Sequence, residues 1–347
     1  MGLILNDLKN ACELEHVCDY VNNRTTSSMN YISTENMLPN KGGISESTII
    51  PPGNTTEYKI GDILISNIRP YFQKIWCADR CGGCSADVLC IRAKENTDSK
   101  YLYYLLSQQA FFDYVMSGAK GCKMPRGDKK QIMQWPVNIP AIDVQKKVVA
   151  ILSSLDNKIR LNRRINDNLE EQAKALFKSW FVDFEPFKGG KFVDSKLGPI
   201  PEGWSIGKVN DVVQILSGFA FKSETFVQSG PYRLITIKGV QDGYLDISGA
   251  SYISKVPLKM PAYCNLEIGD ILLSLTGNVG RVCIVDRPNL LLNQRVAKLQ
   301  PRRNKQDLLF VYILFRQDTF KNHLLQIARG TAQLNLSPVE TREISII

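Results

Sequence analysis

The feature that most constrains this chain is a segment that occurs twice. Tyr58-Lys59-Ile60-Gly61-Asp62-Ile63-Leu64-Ile65-Ser66 returns as Leu266-Glu267-Ile268-Gly269-Asp270-Ile271-Leu272-Leu273-Ser274. A Gly-Asp turn running into an apolar segment is a strand signal. Each copy is followed by a polar stretch, residues 67–71 in the first and 275–278 in the second. Apolar residues at helical spacing come next, in 100–112 and in 308–315, then a loop containing glycine (117–127 and 328–333), then a short alternating strand (135–139 and 343–347). The order strand, helix, loop, strand therefore occurs twice and predicts two related domains of mixed α and β structure, an α+β fold class.

Between the copies, residues 142–184 contain neither Gly nor Pro. Apolar positions there alternate at spacings of four and three: Val148, Leu152, Leu155, Ile159, Leu169, Ala173, Leu176 and Trp180. That is the seam of a long coiled-coil-forming helix. Asp143 is expected to cap its start, and Pro186 with Gly189 and Gly190 to end it. About forty residues at 1.5 Å each make a rod of roughly 60 Å. The seam positions Asn162 and Asn166 are polar. In a coiled coil they would specify register and partner at a cost in stability; on an ordinary amphipathic helix they are a polar patch. An apolar stripe of this length requires a second helix to cover it. The first repeat runs straight into the helix while the second stops at Ile347, so the expected cover is either a further C-terminal segment or a helix from another chain, a second copy included.

Composition narrows the function classes. With 347 residues the chain has material for about two globular units. The longest apolar run, residues 308–315, is far short of the ~20 residues a membrane span needs. The N-terminal hexapeptide lacks a basic region before an apolar core, and Asn6 stands where a myristoylation signal has Ser or Thr, so a cytoplasmic location is expected. Lys and Arg number 43 against 34 Asp and Glu, a net charge of +9 that attracts polyanions such as nucleic acid or belongs to a merely basic protein. Nine cysteines, an odd number, preclude a complete intramolecular disulfide framework. Cys77, Cys81, Cys84 and Cys90 lack a second Cys-x-x-Cys pair, so buried thiols are expected there, and no metal.

Little points to catalysis. His16 and His323 are the only histidines and stand in unrelated settings. No Gly-rich loop followed by Lys and Ser or Thr is present, and neither a Gly-rich cofactor strand nor a catalytic tetrapeptide of an adenine methyltransferase. No cofactor is expected.

Residues 138–159, Ile165-Asn166-Asp167-Asn168-Leu169, the run 175–184 and Gly198-Pro199-Ile200-Pro201-Glu202-Gly203-Trp204 closely resemble the first central spacer region of type I restriction-modification specificity subunits. The flanking repeats resemble that family's two target recognition domains, and the resemblance covers nearly the whole chain. It implies target recognition domain 1 over residues 1–140, the spacer helix over 141–185, a linker over 186–203 and target recognition domain 2 over 204–347. It also implies a non-catalytic subunit that reads one half of a split double-stranded DNA site with each domain. Two antiparallel spacer helices in the family set the gap and dock two methyltransferase (modification) subunits, and through them the restriction subunit. This sequence contains the first of those helices and not the second. A coiled-coil scaffold with incidental basic charge is the alternative from another class.

Under that resemblance the leading DNA-contact candidate is residues 118–130, where Lys120, Lys123, Arg126, Lys129 and Lys130 face a single Asp128. The lysines suit phosphates and Arg126 suits phosphate or a guanine edge; the bland reading is a solvated loop. The matching loop of the second copy offers Arg329, Thr331 and Gln333. Asn67, Arg69 and Tyr71, with Thr276, Asn278 and Arg281, form a second tier at equivalent places after the Gly-Asp strands. Lys222 lies in a third segment, 217–222, whose Phe219 and Phe221 are expected in the core. For partner docking the expected residues are Val148, Leu152, Leu155, Ile159, Asn162, Asn166, Leu169, Leu176 and Trp180.

Overall fold

The computed structural model describes residues 11–25, 30–46, 53–304, 307–331 and 333–347. The N-terminal hexapeptide read above lies outside them. The chain divides into two compact units, residues 1–162 and 163–347.

The repeated Gly-Asp pair builds the same turn in each unit. Gly61 (φ 89°) and Gly269 (φ 95°) occupy the left-handed region that a side chain disfavours. The Asp62 carboxylate accepts the Lys59 backbone N–H at 2.7 Å, and Asp270 accepts that of Glu267 at 2.9 Å. Both carboxylates are then met by a cation from the neighbouring strand. Arg92 grips Asp62 with two bonds of 2.7 and 2.6 Å, and Lys298 reaches Asp270 at 2.8 Å. The sequence repeat thus encodes a turn and its electrostatic lock.

In the first unit the turn opens the second strand of an antiparallel sheet: β1 Cys18–Tyr20, β2 Ile63–Ser66, β3 Ile75–Cys77 and β4 Val88–Ala93, in the order β1-β4-β2-β3. Two helices, α1 Ser99–Leu106 and α2 Gln109–Ser117, and a short α3 Lys129–Met133 follow. Ile63 and Ile65 on one face of β2 join the α1 and α2 side chains Leu102, Leu106, Phe111 and Phe112. Leu64 on the other face joins Tyr58, Trp76 and Cys84. Burial on both faces explains why β2 reads as an unbroken apolar run rather than an alternating one.

The second unit repeats this plan. Strands β5 Val213–Ser217, β6 Ile271–Ser274, β7 Val282–Ile284 and β8 Val296–Pro301 pair antiparallel in the order β5-β8-β6-β7. They are followed by the helices Leu308–Arg316, Asp318–Ile327 and Pro338–Arg342. In each unit the last strand closes onto the first: Cys12–Glu13 on Pro136–Val137, and Gly207–Lys208 on Ser345–Ile346.

The intervening helix runs unbroken from Ile142 to Phe181, 40 residues. Asp143 lies within its first turn instead of capping it: the Ala141 carbonyl accepts from Val144 and Gln145. Its end also precedes the expected stop, because Phe184 turns into the left-handed region at φ 53° ahead of Pro186. Gln145, wholly buried, accepts the Asp98 backbone N–H and donates to the Asn96 and Pro140 carbonyls, which fixes this end of the helix to the first unit. In the second unit Phe177 is buried against Phe310, and Arg316 bonds to Glu170 and Asp242. Burial alone would raise the Glu170 carboxyl, but the bonds from Lys174 and Arg316 hold it below the usual carboxylate range. No helix among the described residues is long and apolar enough to cross a membrane.

Candidate nucleic-acid interface

In the first unit the basic loop and the stretch after β2 form one built site. Ile68 pairs antiparallel with Arg126, and Arg126 pairs with Lys120 through two backbone bonds of 2.9 Å each. The Arg69 N–H donates to the Pro125 carbonyl at 2.8 Å. Gly127 makes the approach close enough: a Cβ there would lie 2.9 Å from both Asn67 Oδ1 and Val115 Cγ1. Arg69 and Gln73, non-glycine residues at φ 51°, carry left-handed strain at this edge.

The side chains sort by accessibility. Lys123 and Lys130 are exposed. Lys120, with 82% of its side chain accessible, bonds to Asp128 at 2.8 Å. That ammonium, with the Gln131 and Lys130 N–H groups, holds the Asp128 carboxyl below its ordinary range. Lys129 sits over the Tyr20 ring at 4.6 Å. Arg126 is 58% exposed and bonds to Asp87 at 3.2 Å. Tyr71, 48% exposed, lies against Phe72. Asn67 instead points inward, buried with its side-chain oxygen unpaired, because its backbone continues the sheet edge through the Asp87 carbonyl. Arg69 is half-buried beside a cleft of about 220 Å³ that Lys74 and Met124 also line.

The second unit repeats the backbone. Thr276 pairs with Asn335, and Asn335 pairs with Arg329 through bonds of 2.9 and 2.7 Å. Arg329, 82% exposed, bonds to Glu340 at 2.6 Å, and Thr331 and Gln333 are exposed. Thr276 is buried with its hydroxyl on Asn335. Half-buried Arg281 donates to Gln241, and Asn278, its amide oxygen turned inward, accepts from Arg281 at 3.2 Å. Lys222 is exposed on a different segment, where Phe219 and Phe221 are half-buried and pack against the core instead of entering it.

Sequence reasoning missed Asn335 and Asp87. A signal for Asn335 was present: Asp128 and Ser337 each cap the short helix that follows, and two residues before the cap stand Arg126 and Asn335.

Along the long helix the expected seam is only partly free. Leu155, Ile159, Leu169, Leu176 and Trp180 are about half exposed, and Asn162 and Asn166 are exposed among them. Val148, Leu152 and Ala173 are half-buried, Ala173 against the core of the second unit. Ile151, Leu161 and Ile165, outside the expected seam, are 64%, 55% and 46% exposed and widen the stripe.

The four cysteines considered for a metal have different surroundings. Cys84 and Cys90 are buried in the core, Cys77 is half-buried and Cys81 exposed. Burial pushes the Cys84 thiol up to about 12, and Cys90 higher still. Among the described residues no group of three or more His, Cys, Asp or Glu is placed to hold a metal ion.

A family model described as Type I restriction modification DNA specificity domain matches residues 9–171 and again 201–346. The type I restriction enzyme MjaVIII specificity subunit of Methanocaldococcus jannaschii is 31% identical over 244 residues, covering 68% of this chain and 56% of that protein. The MjaIX specificity subunit of the same organism is 30% identical and covers 48% of this chain and 39% of its own length. The chain thus spans less than two thirds of the length of these two relatives. The HindI specificity subunit of Haemophilus influenzae is 25% identical, covering 91% of this chain and 83% of that protein. A crystal structure of a type I restriction-modification S subunit from M. genitalium aligns with a TM-score of 0.49 at 15% identity, covering all of this chain and 86% of its own.

Proposed function

This chain belongs to the type I restriction modification DNA specificity family, and from that premise we propose that it reads a bipartite double-stranded DNA sequence, one word with each unit, in the cytoplasm. The observation that carries the reading is the duplicated ribbon. The ribbons Ile68–Arg126–Lys120 and Thr276–Asn335–Arg329 place Arg126 and Lys120, and Asn335 and Arg329, at the same positions in two copies of one fold. A scaffold with incidental charge has no reason to repeat it.

In this reading the target recognition domains span residues 1–140 and 204–347, with the spacer over 141–185 and a linker over 186–203. The chain itself is non-catalytic and uses no cofactor. Methyltransferase subunits dock on the exposed apolar stripe of the spacer helix, and a restriction subunit joins through them. A second helix, from another copy or from a further C-terminal segment, completes the coiled coil.

The supporting experiment is selection of duplexes from a random library by the chain together with its modification subunit, followed by sequencing. Two enriched words are expected, and binding without enrichment would contradict the reading. Phosphate contacts are tested separately. Replacing Lys120, Lys123 and Lys130 by alanine is expected to weaken binding to all sequences alike, about tenfold or more, and to reduce the slope of log affinity against log salt by about one per lost contact. An unchanged slope would assign the loop to solvent.

A further inference from the structure

We infer that Asn335 is the second unit's counterpart of Arg126, and that the two side chains read an adenine and a guanine, respectively, at corresponding places in the two words. This rests on the DNA-reading function proposed above.

Two observations lead to it. Each residue is the middle strand of its ribbon, paired on one side with a basic residue (Lys120 or Arg329) and on the other with the residue two beyond the end of the Gly-Asp strand. Each stands two residues before the cap of a short helix. Identical pairing in equivalent ribbons sends both side chains to the same face.

The chemistry of the two side chains differs in a readable way. Arg126 is anchored at one corner by Asp87, its only side-chain partner among the described residues, and is otherwise exposed. A guanidinium held by one edge still offers a donor–donor fork, the complement of guanine O6 and N7. The Asn335 amide has its orientation fixed: Oδ1 accepts from the Thr276 hydroxyl at 2.9 Å and Nδ2 donates to the Gln333 carbonyl at 3.1 Å. One N–H and one lone pair remain, the donor–acceptor pattern that matches adenine N7 and N6. Asparagine has no charge, so the place it shares with arginine does not depend on one; both side chains present a two-point hydrogen-bonding pattern that fits a base edge.

The test uses the chain complexed with its modification subunit, with random-library selection repeated on variants. Arg126→Ala should lose, by about 10- to 100-fold, the preference for guanine at one position of one word and leave the other word intact. Asn335→Ala should lose an adenine of the other word by a similar factor, and Asn335→Arg should convert that preference to guanine. Salt-dependent binding to non-specific DNA should persist in each variant, which reports a folded unit; Arg126→Lys and Asn335→Gln provide a second pair should the first fail to fold. Both words surviving unchanged in the variants, or an even loss across all positions, would overturn the assignment while leaving the proposed function in place. A wild-type complex that enriches no word would instead remove the DNA-reading function, and this inference with it.

Discussion

Replacing Leu155 and Ile159 together by glutamate is expected to abolish capture of the modification subunits and any pairing through the helix, while both units remain folded. The two side chains are 53% and 50% exposed, and Ile151 and Leu161 beside them are 64% and 55% exposed, so the free chain loses little packing. Surface substitutions of this kind stay within about 0.5 kcal/mol. Against a docked apolar partner the same carboxylates would be desolvated without a counter-charge, at several kcal/mol each. The complex should fail while the fold survives. Sedimentation velocity of the variant with its modification subunit should show separate species, with circular dichroism unchanged. Co-sedimentation at the wild-type mass would place the docking surface elsewhere.

A comparably large effect, on stability instead of assembly, is expected from Asp270→Ala. Asp270 and Lys298 side chains are 15% and 13% exposed, so the substitution leaves an ammonium largely buried without its partner and frees the Glu267 N–H. Breaking a buried pair in this way costs about 3–5 kcal/mol. Asp62→Ala should cost less in the first unit, about 2–3 kcal/mol. Although Asp62 is 2% exposed, its partner Arg92 is 35% exposed and water can take over part of the lost interaction. Hydrogen-exchange mass spectrometry should find faster exchange in β5–β8 for Asp270→Ala and in β1–β4 for Asp62→Ala. Equal, unaltered exchange in both would mean that the repeated Asp is not a structural lock.

The parts of this architecture that were readable in the sequence are the ones encoded locally. Gly61-Asp62 and Gly269-Asp270 announce turns through backbone chemistry. The uninterrupted run after Pro140 announces a long helix because nothing in it breaks the hydrogen-bond ladder. What escaped depends on pairing at long range. Thr276 and Asn335 stand 59 residues apart, and no local pattern signals that the loop of one tier becomes a strand against the other. For the same reason Asn67 and Thr276, polar residues on what read as open loops, are buried: a ribbon laid across each removes it from water.

Helix exposure was half legible. A heptad reading finds Leu155 and Ile159, yet it cannot know that Val148 and Leu152 are half-buried, nor that Ile151 and Ile165 are left exposed. Asn335 was missed because its neighbours carry no charge run to draw attention, whereas the equivalent Arg126 lies among lysines.

The most direct test that each unit reads its own word is to purify the chain with a type I modification subunit, modify a long natural DNA and map the methylated bases by sequencing. Two short words separated by a constant gap of unspecified bases are predicted. A single contiguous word, or methylation without sequence preference, would contradict the account.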